Sequence, residues 1–114
     1  MIELSKKDKK AARQIIEIGL VREFTAGIYK VEREIAAWQE DRSDPRKTYH
    51  NLYRVLFDFN KHIARRYDYM SGSKYLLIVI AQLRDGVITQ DDLQPFSEEV
   101  RRFLQSVVLK GLDG

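Results

Sequence analysis

The run Tyr75-Leu76-Leu77-Ile78-Val79-Ile80-Ala81, YLLIVIA at residues 75–81, decides the fold. Seven successive apolar residues carry no polar period, so the run suits a buried strand or a buried helix equally well. A strand needs an edge to pair with, and no second convincing strand stands elsewhere in the chain. The run therefore reads as a short buried helix over about 74–84. Ser73 is placed to start it, and Gly86 to stop it in the left-handed conformation.

Upstream, Ser5 with Asp8 three residues later resembles a capping box, and no proline follows before Glu40. Val21, Ile28 and Ile35 are spaced by seven, as are Phe24, Val31 and Trp38, which makes an apolar stripe down a helix over about 5–40. Ile15, Ile16, Ile18, Leu20 and Tyr29 extend its apolar surface, and bending is expected near Gly19 or Gly27. The stretch EDRSDPRK breaks the pattern. Asp44 before Pro45 reads as an N-cap with proline at the first helical position, starting a second helix over about 45–70. Its stripe is Tyr49, Leu56, Ile63 and Met70 with Leu52, Phe59 and Arg66; Arg54, Asp58, Lys61, Arg65 and Asp68 face away. A last helix over about 90–109 carries Phe96, Val100, Phe103, Leu104, Val107 and Val108, with Pro95 in its first turn or kinking it.

The fold class is then all-α: one antiparallel helical bundle of residues 1–114, with two long helices as a hairpin and two shorter ones covering its groove. In the hairpin, residues whose numbers sum to about 85 lie at one level. Arg66 breaks the stripe of the second helix, while Gln14 and Glu17 break that of the first nearby, so Arg66 and Glu17 are expected to meet.

The 114 residues, 44% hydrophobic and 32% charged, suit one folded domain. There is no cysteine, so disulfides and thiolate metal sites are excluded. No apolar leader follows the N-terminal lysines and no run spans a membrane, which makes a cytoplasmic location the expectation. The net charge of +3 comes mostly from residues 41–70, which hold seven basic and four acidic side chains.

Little in the chain points to catalysis or metal. LRDGVITQDDL, residues 83–93, resembles the second half of a calcium loop. With Gly86 at loop position six, however, positions one and three are Ala81 and Leu83, which offer no side-chain ligand. Gly86 as a helix stop and Thr89 as the next N-cap, with Asp92 at N3, explain the same residues. No Glu-x-x-His pair exists for a carboxylate-bridged metal centre, and Asp58 with His62 supplies two ligands at most. A phosphorylatable histidine of the phosphotransfer-bundle kind is usually followed four residues on by a small one; Arg54 and Arg66 stand there instead. No nucleophile motif or phosphate loop is present. No catalytic residue, metal or cofactor is expected.

One cluster remains. KHIARRYDYMSGSKY, residues 61–75, interleaves Lys61, Arg65, Arg66 and Lys74 with tyrosines, and could contact an anion or nucleic acid. The wide apolar surface of the first helix points instead to a protein partner, or to self-association as a homodimer. The expected function is a small non-enzymatic interaction or adaptor protein, with nucleic-acid binding as the alternative.

Overall fold

The computed structural model describes residues 2–113, with side chains described to Leu109. The main helices are α1 (Lys6–Asp41), α2 (Pro45–Tyr67), α3 (Tyr75–Arg84) and α4 (Glu98–Asp113). Short 3-10 turns at Gly72–Lys74 and Gln90–Leu93 precede α3 and α4. No strand occurs among the described residues, so the fold is the all-α helical bundle expected. The chain divides into two compact units. The second is Arg22–Asp68, and the first is the chain on either side of it. α1 contributes to both.

The first unit holds most of the core, and YLLIVIA lies at its centre as α3. Tyr75, Leu76, Ile78, Val79 and Ile80 are buried, with Ala11, Ala12, Ile15 and Ile16 of α1 and Val100 and Leu104 of α4. Burying each of the larger aliphatic side chains contributes about 1.5–3 kcal/mol. Gln82, with no exposure, donates from Nε2 to the Ile16 carbonyl at 3.1 Å. That approach needs Gly19, where an added Cβ would lie 2.2 Å from the Gln82 Nε2. α1 runs unbroken through Gly19 and Gly27, so both glycines serve as places of close approach.

The calcium-like stretch is a corner. Gly86 has φ +73°, its N–H bonds to the Leu83 carbonyl at 3.1 Å, and the Val87 N–H bonds to the Gln82 carbonyl at 2.9 Å. This is a Schellman stop, which closes the last carbonyls of α3. Thr89 then donates from its N–H (2.7 Å) and its hydroxyl (3.1 Å) to Asp92 Oδ2, as a helix start should. The last helix does not run on from residue 90, however. The turn at Gln90–Leu93 ends before Pro95, and α4 begins only at Glu98. Proline has no N–H to continue the ladder, so the helix restarts after it. The restart is capped from α1: the buried Asp8 carboxylate accepts from the Ser97 N–H and the Ser97 hydroxyl, each at 2.8 Å. Asp8 also bonds Ser5 as its own helix begins. One carboxylate thus stabilises two helix N-termini, each of which favours negative charge.

The second unit is a hairpin of α1 from Arg22 onward with α2. Arg42, at φ +49°, turns the chain, and its guanidinium lies 4.8 Å from the Trp38 ring centroid. The Trp38 indole N–H donates to the Ser43 carbonyl at 2.9 Å. Asp44 caps α2 by accepting from the Arg46 N–H at 3.0 Å, with Pro45 next in the chain. α2 stops at Tyr67 rather than near 70, because Tyr69 takes the left-handed conformation at φ +62°. No helix among the described residues is long and apolar enough to cross a membrane.

Candidate interaction surface

The two helices of the hairpin are held by contacts that obey the expected level rule. Phe24 and Phe59 meet edge to face at 5.5 Å, and Phe59 packs so closely on Gly27 that an added Cβ would lie 2.9 Å from its ring. Glu23 lies at the level of His62. Its buried carboxylate accepts from Arg66 at 2.9 Å, bonds His62 Nε2 at 2.6 Å and accepts from the Tyr67 hydroxyl.

The expected Arg66–Glu17 pair is therefore corrected. The carboxylate that Arg66 meets is Glu23, while Glu17 is exposed on α1. The register of α1 explains the error. Its inward residues are Glu23, Gly27, Val31, Glu34 and Trp38, all buried or half-buried, a stripe rotated by about one residue from the apolar one. His62, likewise, pairs with Glu23 rather than Asp58, which lies exposed on α2.

That rotation gives the hairpin two unlike sides. On α2 the inward residues are Thr48, Leu52, Val55, Phe59, His62 and Arg66, all half-buried. One residue further along a helix is a turn of about 100°. For two antiparallel right-handed helices, that turn away from the facing positions carries both to the same side. There stand Phe24, Ile28 and Ile35 of α1 with Tyr49, Tyr53 and Leu56 of α2, from 39% to 67% exposed. The apolar residues of the two short helices share the core of the first unit with residues 11–16 of α1. Buried side chains are few in the hairpin: Glu23 and Tyr67 among the described residues.

One residue back from the facing positions, the opposite side is basic. Lys30 and Arg33 of α1 stand there with Lys47, Arg54, Lys61 and Arg65 of α2, all exposed, with Asp58 among them. None of these six cations joins a salt bridge among the described residues. The predicted anion cluster is thus divided. Lys61 and Arg65 lie on the basic side of the hairpin. Arg66 is turned inward with 10% of its side chain exposed, and Lys74 belongs to the first unit, exposed in the turn before α3.

Gly86 and Thr89 serve the corner, as expected. No group of three or more side chains that could hold a metal ion occurs among the described residues. The chain matches no family model, and no curated protein or solved structure matches it significantly.

Proposed function

We propose that the chain is a small non-enzymatic helical interaction or adaptor protein whose contact surface is the apolar side of the α1–α2 hairpin. One observation carries this reading: six large apolar side chains, three from each helix, share one side at 39–67% exposure. Among the positions one residue on from the inward ones, exposed Glu32 is the one charged residue, and the apolar row of α1 runs on either side of it. A helix hairpin is a single layer, and an apolar face of this kind is buried in a second layer. Contiguous exposed apolar surface of this extent marks contact sites.

The test is a photo-reactive residue replacing Tyr53 in the full chain, expressed in its native cell. A discrete protein adduct on irradiation is expected, with none from the same probe replacing Lys61 on the other side. The absence of any protein adduct at Tyr53 would overturn the reading.

A second reading, binding of nucleic acid, is favoured by the basic side. Six exposed cations along two helices could track a phosphate backbone. On this reading Lys61→Glu with Arg65→Glu weakens binding to generic RNA or DNA and flattens its salt dependence. Absence of binding at low salt would dismiss it.

A further inference from the structure

We infer that the occupant of the apolar side is a second copy of this chain, two hairpins stacking face to face into a four-helix layer pair. This rests on the interaction reading and names its partner.

Area favours a second copy. The six side chains at their observed exposures present on the order of 650 Å², taking roughly 200 Å² for each when fully exposed. The largest apolar patch on a typical monomer is about 300–600 Å². Each partner in a standard stable interface contributes about 800 Å². The patch exceeds the first figure and, with a rim, reaches the second. A second hairpin has matching dimensions, because it is the same element.

The arrangement of side chains favours it independently. The rows differ: α1 offers Ile28 and Ile35 with Phe24, while α2 offers Tyr49 and Tyr53 with Leu56. A two-fold axis parallel to the helices sets α1 of one copy against α2 of the other. The branched aliphatic row then meets the tyrosine row, twice, by symmetry. Tyrosine suits such a position, with its ring on the apolar row and its hydroxyl reaching water at the edge. Burying a charge without a partner is the usual obstacle to such a contact; the six apolar side chains carry none, and the one charge in the rows, Glu32, is exposed at the level of Tyr53. The basic side faces away from the contact, so six cations per copy are not brought together.

The test uses the full chain. Sedimentation equilibrium from about 1 to 100 μM should show a rise toward twice the 13.4 kDa chain mass, within the micromolar-or-tighter range of interfaces this size. Ile28→Glu with Tyr53→Glu should hold the mass at one chain, with unchanged far-ultraviolet circular dichroism. Lys61→Glu should leave the dimer intact. Because the chain has no cysteine, the pairing can be read directly. Mixing an Ile35→Cys chain with a Tyr49→Cys chain, positions that share one level, should give the mixed disulfide in excess over either homodimer.

A single-chain mass across the range would overturn the inference. So would a dimer indifferent to the two glutamates. If the chain is monomeric and the Tyr53 probe captures a different protein, the second copy is dismissed and the interaction reading stands. If neither occurs, both fall.

Discussion

Replacing Glu23 by Leu should be among the most destabilising single changes in the hairpin. The carboxylate is buried and meets three groups, Arg66 at 2.9 Å, His62 at 2.6 Å and the Tyr67 hydroxyl. Its loss strands a guanidinium whose side chain is 10% exposed. Removing one member of a buried ion pair costs about 3–5 kcal/mol, chiefly because the remaining charge is uncompensated. Arg66 has a further interaction and His62 reaches solvent with 42% of its side chain, so the lower end, about 3 kcal/mol, applies. For a chain of this size that corresponds to a fall in Tm on the order of 10 °C. Thermal and urea unfolding monitored by circular dichroism would measure it.

The double variant Glu23→Leu with Arg66→Met separates charge from packing. Apolar replacement of a whole buried pair is often neutral, so most of the loss should return, giving a coupling of about 2 kcal/mol in the double-mutant cycle. A loss under about 1 kcal/mol for Glu23→Leu would refute the reasoning, as would strict additivity in the cycle.

Gly19→Ala should cost about 1–3 kcal/mol by overpacking, since its Cβ would lie 2.2 Å from the fully buried Gln82 side chain, and Gln82→Ala should relieve part of that cost in urea titrations. Gly86→Ala meets no neighbour within 4 Å, so its cost of about 1 kcal/mol is purely that of a left-handed backbone, and the shift in Tm should be the same with calcium or with chelator. The Asp44 carboxyl is held below its ordinary value of 3.8 by the Arg46 side chain and then by the Arg46 N–H. Its stabilisation of α2 is therefore present above pH 3.8 and is lost as pH falls through the lower folded value; a carboxyl carbon titration by NMR should place its midpoint below 3.8 in the wild type.

Much of this fold was legible because local chemistry and tertiary packing agree. Asp44-Pro45, Ser5 with Asp8, and Gly86 with Thr89 each satisfy backbone groups within a few residues, and each forms as read. YLLIVIA could be assigned only by elimination, since an unbroken apolar run has no period. The inward face of α1 was not legible. Its most apolar stripe, Val21, Ile28 and Ile35, looks like the natural core side, yet Ile28 and Ile35 are left exposed and Glu23 turns in. A buried acid beside a small residue reads as polar surface unless its partners are known. Arg66 in the stripe of α2 was the signal that a carboxylate had to come from α1, and the level of His62 pointed to Glu23. Asp8 reaching Ser97 joins residues far apart in sequence, which no local pattern announces.

If one side of the hairpin is an interface and the others are not, concentration should change the reactivity of that side alone. Hydroxyl-radical footprinting of the full chain at increasing concentration reads this at the side chains themselves. Tyr49 and Tyr53 should become protected together as concentration rises. Tyr29 and Phe57, 55% and 49% exposed on the outer surfaces of α1 and α2, should react at a constant rate. Tyr49 and Tyr53 reacting unchanged across the range, or all four becoming protected alike, would contradict the assignment of the interface to that side.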